Sequence, residues 1–265
     1  MNCLICEGKS CLVWKERQYR AYRCRKCRIV FLYPLPANPS IIYNEDYFRK
    51  WYIKYYSRRK AYVGELFSDM EKQVGRKGKL LDVGCGSGIL MEVAGERGWD
   101  VCGQDVSPFA VDYCRQKGFK VYNSPLPELD IPGNSFDLIT LFDVIAHLKD
   151  PVSYIRSCSR LLKPGGSLVI KTPYHPPYLF LTANLFSFTG KSRGLLHVPA
   201  QIFHFQEDSL DSITGKFEFE SPVCLITREF FVVETCCGLK PLSANLLKML
   251  LSRKTILAII RKRDE

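Results

Sequence analysis

The chain has 265 residues, 46% of them hydrophobic and 25% charged, a balance that excludes a disordered protein and fits one α/β domain with a small appendage. The formal net charge is +11, and residues 1–60 carry fourteen Lys and Arg against four acids, so the remainder is close to neutral. The apolar runs Leu246 to Leu251 and Ile256 to Ile260 fall well short of the roughly 20 residues a transmembrane helix needs, which excludes a spanning segment of that kind.

The first element is a pair of cysteine knuckles. Cys3-Leu-Ile-Cys6 and Cys24-Arg-Lys-Cys27 are two C-x-x-C pairs separated by 17 residues. That spacing predicts a structural zinc site of four thiolates, Cys3, Cys6, Cys24 and Cys27. With no open coordination position, the ion would fold residues 1–33 as a ribbon rather than do chemistry, because so short a segment cannot build its own core. Cys85, Cys102, Cys114 and Cys158 show no disulfide-framework spacing, and no signal peptide precedes Cys3. Reduced thiols and a cytoplasmic location are therefore expected. The basic N-terminal region has two readings: a solvated face, or a surface for an anionic partner such as RNA, a nucleotide-linked sugar, a phospholipid-linked glycan or a membrane.

Tyr33-Pro-Leu-Pro-Ala-Asn-Pro39 reads as a connector. Ile41 to Tyr62 then interleaves Tyr43, Tyr47, Phe48, Trp51, Tyr52, Tyr55, Tyr56 and Tyr62 with basic residues. Such a mixture can stack nucleic-acid bases, or it can form an amphipathic helix. The helical reading is favoured and gives residues 34–75 as linker and aromatic lid.

The stretch Leu80-Leu-Asp-Val-Gly-Cys-Gly-Ser-Gly88 carries the strongest signal in the chain. An apolar strand runs into Gly84, Gly86 and Gly88, and a helix-like run follows from Ile89. Glycine is needed where backbone turns sharply or approaches a ligand closely, and strand, glycine turn and helix start together make a cofactor cradle. A dinucleotide fingerprint would place its third small residue at Ile89, so the pattern is G-x-G-x-G preceded by Asp82. Asp100 to Gln104 reads as the next strand and ends at Asp105, about 20 residues on, where such folds place a ribose-binding carboxylate. Ser107 and Pro108 start a helix that Gly118 closes. Phe119 to Tyr122, the apolar run Phe136 to Phe142, a helix from Asp150-Pro151 to Leu162, a turn at Lys163-Pro-Gly-Gly166 and a strand at Leu168 to Ile170 continue the alternation. That alternation predicts a doubly wound parallel sheet.

Residues 174–205 follow the last of these strands, on the side where α/β sheets bind ligands, and form a substrate-side insertion rich in aromatics. All four histidines, His147, His175, His197 and His204, lie in this part of the chain. A hydroxyl acceptor benefits from a base near neutrality. His147, after the fourth strand, is the first candidate and His175 the second, while a structural role stays open for each. Phe230 to Thr235 and Thr255 to Ile260 read as the last two strands, joined through a helix at Leu242 to Leu251.

These residues resemble the class I S-adenosylmethionine (SAM)-dependent methyltransferases over about residues 46 to 263. The glycine motif, Asn134 to Pro151 and Arg160 to Pro173 carry the likeness. The resemblance implies an α/β, doubly wound, Rossmann-like seven-stranded sheet over residues 76–265. It also implies a cofactor site at Asp82, Gly84, Cys85, Gly86, Gly88, Asp105, Val106, Phe142 and Asp143. Within it, Asp82 and the glycines line the amino-acid end of SAM, Asp105 holds the ribose, Val106 packs on adenine, and Phe142 and Asp143 lie near the other face. Many relatives carry an acid where this chain has Ala146. The four-cysteine ribbon, Tyr43 to Phe48 and Phe203-His-Phe205 together resemble bacterial zinc-ribbon methyltransferases of sugar and polysaccharide biosynthesis. This implies a small hydroxylated or glycan acceptor. An RNA base methyltransferase, or a noncatalytic SAM-binding ribbon protein, is the alternative.

Overall fold

In a computed structural model, the residues described are 1–36, 45–49, 53–187, 190, 192–228 and 254–264. Strands β1 (Ser10–Glu16), β2 (Tyr19–Cys24) and β3 (Val30–Leu32) form an antiparallel ribbon. A short helix, α1 (Glu45–Phe48), and a long one, α2 (Tyr56–Val74), lead into the body. The aromatic lid is thus not one helix over residues 41–62. Its long helix starts at Tyr56 and continues well past Tyr62, because Leu66, Phe67 and Met70 extend the buried face. Tyr43, Trp51 and Tyr52 lie outside the described residues.

The body then alternates as the glycine and proline punctuation requires: β4 (Lys79–Val83), α3 (Ile89–Glu96), β5 (Asp100–Gln104), α4 (Pro108–Gln116), β6 (Lys120–Tyr122), β7 (Phe136–Phe142), α5 (Pro151–Leu161) and β8 (Leu162–Tyr174). Further on come α6 (Pro177–Phe186), α7 (Ser192–Leu195), β9 (Phe203–His204), α8 (Glu207–Thr214), β10 (Val223–Arg228) and β11 (Lys254–Arg261). The seven-stranded sheet has the order β10-β11-β8-β7-β4-β5-β6, with β11 antiparallel to both neighbours and the remaining pairs from β8 to β6 parallel. Its two faces follow the two-residue period of a strand. Leu80, Leu138, Val169 and Leu257 pack with α2 and α3, whereas Leu81, Ile139, Ile170 and Ala258 pack with α5 and α8.

One local expectation is corrected, and another falls outside the described residues. The turn expected at Lys163 to Gly166 lies inside β8: the register jumps from Phe136 opposite Leu162 to Leu138 opposite Ser167, with Gly165 at φ 68° absorbing the excess chain as a bulge. The edge strand is Val223–Arg228. The strand expected at Phe230 to Thr235 and the helix at Leu242 to Leu251 lie outside the described residues, as do Cys236 and Cys237.

The ribbon is built into the body. Its sheet has the order β1-β2-β3-β9, so the fourth strand comes from the insertion: Val30 pairs with His204 and Phe31 with Phe203. Cys3, Ile5, Ile29 and Phe31 share a core with Phe203, Phe205, Leu210 and Ile213. The opposite face of the ribbon buries Trp14, Ala21 and Val30 against Phe180, Ala183 and Leu196. Body residues on both sides thus supply the burial that 33 residues lack. Trp14 Nε1 donates to Ser192 Oγ at 3.0 Å, and the Glu16 carboxylate accepts from Ser192 and pairs with Arg193 Nε at 3.0 Å. Glu16 is 4% exposed, so removing it strands Arg193 beside a buried apolar seam. Glu16→Ala is expected to lower the free energy of unfolding by about 3 kcal/mol, read from urea denaturation curves.

Candidate functional site

The glycine turn needs its glycines for backbone reasons. Gly84, Gly86 and Gly88 have φ of 68°, 52° and 76°, a region L side chains disfavour. Gly84 and Cys85 donate their N–H groups to the Gln104 carbonyl at 2.7 and 3.0 Å, tying the turn to the end of β5. A Cβ on Gly84 would stand 2.4 Å from Val144 Cγ2, so the loop after β7 rests directly on the turn. Cys85 is buried under it, with its thiol pushed up by Cys114 and by burial, and so stays protonated.

Two carboxylates close the turn. Asp82 is 3% exposed and accepts from Thr140 Oγ1 at 2.7 Å. Burial pushes its pKa up to about 7; Thr140 opposes this and the nearby Asp105 adds to it. Asp105 accepts from Gly86 N and from Ser107 N, each at 2.9 Å, and burial raises its pKa against those backbone bonds. Ser107 therefore starts α4 without its side chain capping, whereas Asp150 caps α5 through Ser153 N at 3.1 Å. Val106 beside Asp105 is 50% exposed. Phe142 ends β7, and Asp143 follows at φ 59°.

The nine cofactor-site positions expected from the sequence thus gather at the carboxyl ends of β4, β5 and β7, along one rim. Positive-φ glycines allow close backbone approach, the two carboxylates offer acceptors, and Val106 offers an open apolar face. This donor and acceptor set fits an adenosyl cofactor carrying a cationic amino-acid end.

Two features at this rim escaped sequence reasoning. Lys171, 3% exposed on β8, donates to Asp143 Oδ2 at 2.6 Å, while Asp143 N donates to the Lys171 carbonyl at 2.8 Å. A lysine inside the apolar run Leu168 to Thr172 was its available signal. The second is a network that fixes the lid. Lys60 pairs with Glu92 at 2.5 Å and Glu96 at 2.6 Å, Tyr56 donates to Glu92, and Lys117 Nζ reaches Tyr56 Oη at 2.6 Å. These residues are far apart in the sequence, with no motif to join them.

The two candidate histidines part company. His147 sits in the 3-10 turn Ile145–His147, with Nδ1 2.8 Å from the Ala200 carbonyl. The proton therefore sits on Nδ1, and Nε2 is the lone-pair nitrogen. Burial lowers its pKa, the Ala200 bond and Asp143 opposing, so the ring is neutral at neutral pH. His175 is 5% exposed and packs at the ribbon seam, its ring 4.5 Å from His204. His204 is held neutral by burial and by the other histidines around it. Ala146 is 1% exposed, and its carbonyl accepts from Ile202 N at 2.8 Å, so the chain leading into β9 covers the place where many relatives carry an acid. Phe180, Phe203 and Phe205 are buried in packing as well, which turns much of the aromatic insertion toward the ribbon and away from a ligand.

The four cysteines converge. Cys3 Sγ lies 3.6 Å from Cys27 Sγ and Cys6 Sγ 3.4 Å from Cys24 Sγ, and all four sulfurs lie within 4.8 Å of one another. A tetrahedron of sulfurs around zinc has edges of about 3.8 Å, so the set fits that ion. Backbone N–H groups of Ile5, Lys26 and Cys27 point at sulfur, as suits thiolates. A Cβ on Gly8 would press within 3.3 Å of two of the sulfurs. The contact with Cys27 lowers the Cys3 thiol to about 5, while Cys27 is raised in turn.

Comparison with known proteins agrees with this fold. A family model described as a methyltransferase domain matches residues 49–220. Ubiquinone biosynthesis O-methyltransferases are similar: that of Pseudomonas paraeruginosa is 39% identical over 123 residues, 43% of this chain and 53% of the relative. That of Cereibacter sphaeroides is 36% identical over 111 residues, 40% of this chain and 45% of the relative. The chain thus spans about half the length of these curated relatives. Among solved structures, a SAM-dependent methyltransferase of Archaeoglobus fulgidus has a TM-score of 0.54 at 17% identity, covering 77% of this chain and 94% of its own. The YcgJ protein of Bacillus subtilis has a TM-score of 0.56 at 16% identity, covering 77% and 100%. These structures share the fold.

The cysteine cluster yields the first chemical expectation. Metal analysis of the purified chain should find one zinc, and Cys24→Ser should release it and expose the seam around Phe31 to proteolysis. Full zinc content in that variant would place the ion elsewhere.

Proposed function

The chain belongs to the methyltransferase-domain family, and on that premise we propose that it methylates a hydroxyl group of a small acceptor. The observation that carries the reading is His147: a neutral imidazole, fixed through Nδ1, beside the Asp143 turn at the cofactor rim. SAM supplies the methyl group on its sulfonium. The protein's part is to align donor and acceptor and to take a proton from the acceptor hydroxyl at His147 Nε2. Asp82 and the glycine turn would hold the amino-acid end of SAM, Asp105 would offer its carboxylate to the ribose hydroxyls, and Val106 would offer an apolar face to the adenine. Phe142 and Asp143 would border the cofactor's other face. His175, shut into the seam, serves packing.

The names of the relatives support oxygen as the methylated atom. A sugar or glycan unit as acceptor is the finer reading, supported by the resemblance of the ribbon-plus-body layout to sugar-biosynthesis enzymes. The Cys3, Cys6, Cys24 and Cys27 cluster holds a structural zinc outside the chemistry. Methyl-labelled SAM incubated with the protein and fractionated cell extract should place label in small hydroxylated compounds, and label in RNA would overturn the reading.

Titration calorimetry should give one SAM site per chain, weakened by about 1.5–3 kcal/mol in Asp105→Ala through loss of a charge-assisted contact. His147→Ala should cut kcat by roughly a hundredfold while leaving SAM affinity in place. The sign of the pH dependence follows from burial. The neutral ring is the base and its pKa is lowered, so kcat/KM should be flat at neutral pH and fall only on the acid side of the ordinary histidine range. An acid limb that survives in His147→Ala would assign the base to another group.

A further inference from the structure

Helix α6 is apolar on two sides, and one of them, with Phe180 and Ala183, packs on the ribbon. Tyr178, Leu181, Leu185 and Phe186 are 54%, 63%, 64% and 53% exposed. They recur at i, i+3, i+7 and i+8, which lines them up as one stripe along the helix. Single exposed apolar residues are ordinary on a protein surface; four large ones along one short helix are not.

Basic side chains stand beside this stripe. α6 is seated on β1, where Asn184 Nδ2 donates to the Val13 carbonyl. Arg23 lines a groove of about 200 Å³ between ribbon and helix, walled by Val13, Val30, Phe180 and Leu181. Past the end of the helix, Arg17 Nη2 comes within 3.6 Å of where a side chain on Gly190 would begin. Glu16, at the end of β1, is buried and already paired with Arg193.

We propose that this face of the ribbon and α6 docks on an anionic phospholipid bilayer. An apolar stripe flanked by guanidinium groups suits a helix lying in the plane of the interface, where apolar side chains enter the acyl boundary and cations meet headgroup phosphates. The groove is too small to receive a partner helix but accepts a short length of acyl chain, with Arg23 at its wall. Docking is peripheral, since no helix among the described residues is long and apolar enough to cross a membrane. α6 begins six residues after Lys171, so the docked face is continuous in the chain with the cofactor rim.

The test is flotation of the full chain with vesicles of phosphatidylcholine alone and of an equimolar mixture with phosphatidylglycerol. The protein should float with the mixed vesicles, far less with phosphatidylcholine, and lose binding in high salt. The double variant Leu181→Glu and Leu185→Glu should reduce the vesicle-bound fraction at least about tenfold with an unchanged melting temperature. Should that variant fail to fold, Arg17→Glu, on an exposed turn, should still weaken binding to the mixed vesicles. Wild-type protein that stays off the mixed vesicles overturns the proposal, as does a folded double variant, or an Arg17→Glu variant, that binds as well as wild type. A wild-type dimer that the double variant converts to monomer, without vesicle binding, would assign the stripe to a second copy instead.

Discussion

The pairing of β3 with β9 is the constraint on which the rest of this molecule depends. Phe203 and His204 of the insertion pair with β3 in the ribbon sheet, and they fix the relation of ribbon to body. On one side they bring Phe31 and Ile29 into the core that also holds β4, β7 and β8. On the other they leave Trp14 and Val30 to be covered by α6 and by residues 192–198. The same chain segment passes over Ala146 and positions the Ala200 carbonyl against His147. The tautomer of the candidate base is therefore set by the element that anchors the four-cysteine ribbon. A cysteine cluster and a candidate cofactor rim that look independent in the sequence share one backbone segment.

The rim itself is organised by unequal solvation of three carboxylates. Asp82 is deepest and has one hydroxyl donor, so its proton is held to near neutrality. Asp105 is held by backbone N–H groups of the turn it closes. Asp143 has a buried ammonium at 2.6 Å and keeps an exposed side. A cationic cofactor entering this rim would meet carboxylates that are already oriented, and its charge would offset the burial that raises Asp82. The left-handed backbone at Asp143 is unusual for a residue other than glycine, and the reciprocal bonds with Lys171 hold it there.

The sequence exposed what is local and periodic. Asp82, the three glycines and Asp105 were legible because a positive φ and a close approach admit few residue types, and the strand spacing is short. The two C-x-x-C pairs were legible because tetrahedral coordination fixes ligand spacing. Contacts between distant positions were not. Nothing in Glu16 points to Arg193, and nothing in Val30 points to His204, since a two-residue strand leaves no periodicity. The aromatic insertion misled for a related reason: Phe203 and Phe205 read as ligand-facing by their place after β8, but a neighbouring sheet claims them. The Lys163 to Gly166 turn failed because a glycine-proline cluster marks a bulge as readily as a loop.

Vectorial synthesis gives the β3–β9 pairing a further meaning. Val30 leaves the ribosome some 170 residues before His204, about 10–35 s at ordinary elongation rates. For that interval β3 is an open strand edge beside buried-type residues such as Trp14 and Phe31, the kind of surface on which nascent chains mispair. The cysteine knuckles, complete by residue 27, can close early and hold β1 to β3 in register while the edge waits. A metal taken up by that cluster during translation would then favour the pairing of β3 with β9.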